Sequence, residues 1–245
     1  MRLLLIPLMA GCTVVTPPPL VPAHGISAPL EKGTTSVSLV VGIGGGVFVD
    51  DGFGFAVRVT NQVSERMELG GDLTFAFANP STTRKHDQRR RELVAKGGFD
   101  AAHGGAYNAP RFLLGAQLIG RYTVDGADDI VSIPFGFGGG LADTKLRFLT
   151  AYAGVRIAST SGKVDAYGQP LVGISIPVVQ GPPISRGQRP ATTYWLGGSI
   201  GAVADGDGAL GASTDLTMLY GDEAVLLFLS QGGTFRSEPD EEIQQ

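Results

Sequence analysis

From Thr35 onward, apolar residues fall on alternate positions. A chain with that period lays its side chains on two chemically different faces of β-strands, because successive strand residues point to opposite sides. In the first segment Thr35, Val37, Leu39, Val41, Ile43, Val47 and Val49 share one face, while Ser36, Ser38, Gly42, Gly44 and Gly46 dominate the other. Phe53, Phe55, Val57 and Val59 then oppose Gly54, Ala56, Arg58 and Thr60. Met67, Leu69, Leu73, Phe75 and Phe77 oppose Glu68, Gly70, Asp72 and Thr74. Leu93, Ala95 and Phe99 oppose Glu92, Lys96 and Asp100, and Phe112, Leu114, Leu118 and Tyr122 oppose Gly115, Gln117 and Arg121. Further strands are predicted from near Ile130, Arg147, Pro170, Thr192, Ala209 and Ala224.

Turn signals separate these segments: Asp50-Asp51-Gly52, Asp125-Gly126, Asp205-Gly206-Asp207-Gly208 and Gly221-Asp222. Such short connections make consecutive strands antiparallel neighbours, an up-and-down meander. No window has a helical period. Eleven segments qualify, and the weakest begins at Pro170 and holds Pro177; Pro134 is awkward in the same way, since proline cannot donate to a ladder. Ten strands are expected. Glycine, 37 of 245 residues against a usual share of about 7%, suits closely packed strands better than helices. A net charge of -4 gives no general attraction for nucleic acid, and no nucleic-acid partner is expected.

Alternation alone does not say which face meets water, so the polar residues must decide. A wetted exterior is normally crowded with long charged side chains. Here the polar face is mostly Gly, Ala, Ser and Thr, with isolated charges of both signs: Arg58, Glu68, Asp72, Glu92, Lys96, Asp100, Arg121, Arg156 and Asp215. Small residues suit a narrow lumen, and interleaved charges can neutralise one another there. The apolar face is then expected outward. Phe53, Phe77, Tyr122, Tyr194 and Tyr220, near strand ends, could form interfacial girdles.

The N-terminus has a different character. Met1-Arg2 precedes an apolar stretch from Leu3 to Ala10, the layout of a secretory signal and too short for a membrane helix of about 20 residues. The stretch ends Leu8-Met9-Ala10-Gly11-Cys12, which resembles the lipobox of bacterial lipoproteins; the resemblance implies that Cys12 is lipidated and becomes the new N-terminus. As the only cysteine, it has no disulfide partner within the chain. Pro17, Pro18, Pro19, Pro22 and Pro29 follow in a stretch expected to be an extended tether.

The run FAVRVTNQVSERMELGGDLTFAF, a polar turn between alternating strands, looks like the strand-turn-strand unit of small outer-membrane β-barrel proteins, and the likeness extends over most of 34–236. Such proteins usually end in an aromatic residue, whereas Phe235 is followed by ten residues ending in an acidic tail. The expected organisation is therefore a signal peptide over 1–11, a lipidated tether over 12–33, an all-β antiparallel barrel of outer-membrane type over 34–236 and a disordered acidic tail over 237–245.

Little in the sequence points to chemistry. The interruption 79–91 holds Arg84, Lys85, His86, Arg89, Arg90 and Arg91, either a solvated loop or a contact for an anionic surface such as lipopolysaccharide phosphates. A second loop, 180–189, carries Pro182, Pro183 and Arg186. His24, His86 and His103 lack ligand spacing, and no serine stands in a nucleophile motif, so no metal, cofactor or enzymatic activity is expected. Gly44-Gly45-Gly46 and Gly138-Gly139-Gly140 are not followed by Lys-Ser/Thr and a helix, as a phosphate loop requires, and read as bends or as room for a bulky neighbour across the lumen.

The functional expectation is a monomeric, lipid-anchored barrel in the outer membrane of a Gram-negative cell, touching membrane lipid, with a structural, adhesive or narrow-pore role. The competing expectation is a lipid-tethered soluble β-barrel or sandwich binding a ligand or protein in an apolar internal pocket.

Overall fold

A chain of alternating strands leaves unpaired N–H and C=O groups along its first and last strands unless the two meet. In the computed structural model they do. The structure describes residues 30–47, 49–78, 112–124, 129–143, 145–161, 164–179, 191–205, 210–221 and 224–237. Its strand segments are β1 (Thr35–Val47), β2 (Val49–Ser64), β3 (Met67–Ala78), β4 (Phe112–Val124), β5 (Asp129–Ala142), β6 (Arg147–Gly154), β7 (Arg156–Ser161), β8 (Val164–Val179), β9 (Thr193–Asp205), β10 (Leu210–Gly221) and β11 (Ala224–Arg236). Sequence neighbours pair antiparallel, except that β6 and β7 both lie between β5 and β8, and β1 closes on β11 from Ser36↔Arg236 to Val47↔Val225. No edge is left among these strands. There is no helix among the described residues.

β6 and β7 are two halves of one strand, so the barrel has ten. On the β5 side the register stops at Phe135↔Ala153 and resumes at Ser132↔Arg156; on the β8 side it stops at Gly154↔Leu171 and resumes at Ile157↔Gly168. No residue is gained or lost on either side, so Pro134 lies level with Gly154 and Pro170 with Val155. Proline cannot donate, which interrupts the ladder without shifting it, and the Val155 amide still donates to the Pro170 carbonyl at 3.1 Å. Pro177 sits at a register shift in the β6–β8 pairing, opposite Phe148. The prolines that weaken the sequence pattern thus stand at local irregularities in a continuous wall.

Two expectations are adjusted. Asp50-Asp51-Gly52 is not a turn: Gly52 pairs with both Gly44 and Ala78, the chain reverses between Val47 and Val49, and the register slips between Gly44 and Gly46. Aspartates and glycine signal a turn only where the neighbouring strand has also ended, which sequence does not reveal. β8 starts at Val164, ahead of Pro170, because its first outward residues, Val164, Ala166 and Gly168, alternate too weakly to be noticed. The segment 93–99 lies outside the described residues, and β3 pairs directly with β4 from Met67↔Tyr122 to Phe77↔Phe112.

The two ends of the barrel differ. At the end bearing the first and last strand residues, the connections are 65–66, 125–128, 162–163 and 206–209; at the other they include 79–111 and 180–192. Both of the long connections thus lie at the end opposite the termini, as is usual in outer-membrane barrels, while 143–146 and 222–223 at that end are short.

Glycines seat the inward-facing aromatic side chains. A Cβ on Gly136 would strike the ring of Tyr152, its partner on β6; one on Gly140 would meet Phe148 and one on Gly44 would meet Phe228. The bulky neighbour accommodated by these glycines is on the adjacent strand and not across the lumen. Tyr152 is buried and has little room to move. Gly136→Ala should therefore cost about 1–3 kcal/mol through overpacking, read as a lower urea midpoint, and Tyr152→Ala in the same chain should recover part of it.

Candidate functional site

The wall is turned inside out relative to a water-soluble protein. Val37, Leu39, Val41 and Ile43 of β1 are exposed, whereas Ser36, Ser38 and Val40, which alternate with them, are buried. The inversion holds on every strand, with Leu118 71%, Leu196 62% and Ile200 64% exposed. Phe53, Phe77, Tyr122, Tyr194 and Tyr220 all point outward near strand ends, where girdle residues belong.

The lumen is filled in layers. Beneath the long-loop rim, Trp195, Leu219, Leu226, Leu171 and Tyr152 form a buried apolar cluster against Phe228. The Trp195 indole N–H donates to the Ser175 hydroxyl at 3.2 Å, so the one polar atom of that ring is satisfied. Leu113, Ala142, Leu146 and Phe148 fill the neighbouring sector.

Below this plug lie the charges. Arg58 of β2 and Asp72 of β3 are directly opposite in register and pair at 3.2 Å, with side-chain exposures of 11% and 0%. Glu68 and Arg121 are opposite on β3 and β4 and pair at 2.7 Å. The Gln117 amide donates to Asp72 at 3.4 Å. Register thus sets Asp72 and Glu68 each beside an arginine on the next strand. The Arg156 guanidinium stacks 3.9 Å over the Tyr167 ring, a cation–π contact in a desolvated setting. Asp215 accepts from Thr217 at 3.0 Å. Toward the termini, hydroxyls pair across strands: Ser36 with Thr60 at 2.9 Å and Ser38 with Thr234 at 2.8 Å.

Of the inward charges expected from sequence, Arg58, Glu68, Asp72, Arg121, Arg156 and Asp215 line the lumen, while Glu92, Lys96 and Asp100 lie outside the described residues. Asp165 is a buried charge that the pattern did not single out, because β8 was started after it. Tyr152, Tyr167 and Trp195 were also missed. Their signal was the glycine opposite each of the tyrosines, Gly136 and Gly201. Cys12, His24, His103 and the basic residues Arg84, Lys85, His86, Arg89, Arg90 and Arg91 lie outside the described residues, as does the loop 180–189. Among the described residues no group of three or more His, Cys, Asp or Glu could hold a metal.

An outer-membrane channel from Pseudomonas putida F1 superposes with a TM-score of 0.50 over 87% of this chain and 99% of its own, at 9% identity. The chain has the fold of an outer-membrane β-barrel. Neisserial surface protein A (TM-score 0.34, 10% identity, 82% of this chain and 95% of its own) and Ail of Yersinia pestis (0.35, 12%, 84% and 100%) match more loosely. The sequence matches no family model and no curated protein.

Proposed function

We propose that this protein is a lipoprotein of the outer membrane, anchored at Cys12, whose barrel also spans the bilayer and serves a structural or adhesive role. The observation that carries this reading is the pairing of an apolar exterior with a lumen in which Arg58 faces Asp72 and Glu68 faces Arg121 out of water. In water that arrangement would expose a continuous hydrophobic wall; in lipid it leaves only hydrocarbon contacts outside.

A filled lumen argues against free solute flux. The Trp195 cluster occupies the loop-side mouth, and the Arg58–Asp72 and Glu68–Arg121 pairs occupy the middle. A narrow-pore role is the second reading, favoured by those same luminal charges; the similar Pseudomonas putida protein is described as a channel.

Radiolabelled palmitate and carbonate extraction test the proposal. Label should depend on Cys12, and the Cys12→Ala protein should stay in the carbonate-washed membrane because the barrel holds it there. Release of that variant would mean that the lipid was the only anchor, as the soluble alternative requires. In planar bilayers the native protein should give no stable conductance steps, and regular steps would favour the pore.

A further inference from the structure

Away from the rims, the outward residues of the described wall are apolar or glycine with two exceptions, Thr214 of β10 and Gln231 of β11, and these two are cross-strand partners. The Thr214 hydroxyl donates to the Ser230 carbonyl at 3.3 Å. Gln231 is exposed, and its amide has no hydrogen-bond partner among the described residues. Phe235, the terminus-side aromatic of the same strand, lies four residues away, and the level of Tyr220 at the loop side lies six residues away through the pair Tyr220↔Val225. On strands tilted by about 40°, at about 3.4 Å per residue, these separations are roughly 10 Å and 16 Å, together the height of the apolar band. The amide thus stands inside the band, farther from either headgroup layer than a glutamine side chain reaches.

Hydrocarbon offers such a group nothing to bond with, and an unpaired amide there is costly. The wall beside it is shallow. Gly233, Ala212 and Ala202 surround Thr214 with small outward residues, and a Cβ on Gly233 would meet nothing within 4 Å. On the other side of β11 stand Leu39 and Val41, 52% and 54% exposed, opposite Gly233 and Gln231.

Two copies inserted in the same orientation form a closed pair only about a two-fold axis along the membrane normal, so a residue on that axis meets its own copy at equal depth. A primary amide carries both donors and an acceptor, which makes Gln231 complementary to Gln231 of a second copy. The same half-turn sets the branched Leu39 and Val41 of each copy over the small residues of the other, and small residues let two membrane-embedded walls approach closely. We infer that the β10–β11 wall is the interface of a two-fold homodimer, joined at its centre by reciprocal hydrogen bonds between the two Gln231 amides. The inference rests on the membrane-spanning reading and departs from the monomer expected from sequence.

The test is sedimentation equilibrium of the full-length protein, recovered from phosphatidylcholine vesicles into density-matched micelles. Wild type should be a reversible dimer. Gln231→Leu should raise its dissociation constant roughly five- to thirtyfold, and Ala212→Leu, which fills the recess, should raise it as well. Leu118→Ala, on the opposite wall, should leave it unchanged. Because leucine suits hydrocarbon, the Gln231→Leu barrel should keep its heat-modifiable migration in gels and, at dilutions where both proteins are monomeric, a urea midpoint no lower than that of wild type. A fall in that midpoint, wild type that stays monomeric at every concentration, or a dimer indifferent to Gln231→Leu would each overturn the inference. Wild type that fails to enter the vesicles would overturn the membrane-spanning reading, and the inference with it.

Discussion

Asp72→Leu is expected to destabilise the folded barrel by about 3–5 kcal/mol, because removing one member of a buried ion pair takes from Arg58 the carboxylate that directly faces it. The Asp72 side chain is fully buried and accepts from both Arg58 and Gln117, so two donors lose their acceptor together. The loss should appear in urea unfolding of the reconstituted protein, followed by the fluorescence of Trp195. Arg58→Leu/Asp72→Leu should recover most of it, since a neutral apolar pair in that position carries no unmatched charge. A single variant as stable as wild type would mean that water reaches the middle of the lumen and solvates Arg58, which would reopen the pore reading.

The second large effect concerns the opposite face. Leu118 stands at the middle of β4, 71% exposed, and its neighbours on β3 and β5 are Gly71 and Phe137. On a water-soluble protein, arginine at such a site would change stability by no more than about 0.5 kcal/mol. At the midplane of a bilayer it should cost about 2–4 kcal/mol. Leu118→Arg is therefore expected to lower the urea midpoint in vesicles and to reduce the fraction of protein that inserts. Leu210→Arg, at the terminus-side end of β10 and 55% exposed, should be nearly neutral, because its side chain can reach the headgroups. Equal, small effects at both positions would indicate an aqueous exterior.

Much of this barrel is legible in the sequence because the strand period is a local property. Ser36, Ser38, Arg58, Glu68, Asp72 and Arg121 are inward in the structure for the reason the alternation gives, and the small size of the residues between them sets the inside as the polar side. Closure is also legible: with apolar residues on one face of every segment, an open sheet would leave two unpaired edges in lipid.

What alternation does not supply is register. The pairing of Arg58 with Asp72 and of Glu68 with Arg121 depends on the tight reversal at 65–66 and on the β3–β4 alignment, which no local pattern fixes. Strand continuity is equally non-local. Pro134 and Pro170 look like breaks when each segment is read alone, but the flanking strands hold β6 and β7 in line.

In a barrel that spans the bilayer, odd-numbered residues of β1 face hydrocarbon and even-numbered ones face a packed interior. Nitroxide labels placed singly from Val37 to Val41 in the reconstituted protein measure this directly, through collision with oxygen and with an aqueous nickel chelate. Positions 37, 39 and 41 should be oxygen-accessible and nickel-protected, and 38 and 40 protected from both. Nickel collisions at 37, 39 and 41 would place the apolar wall in water and contradict the account.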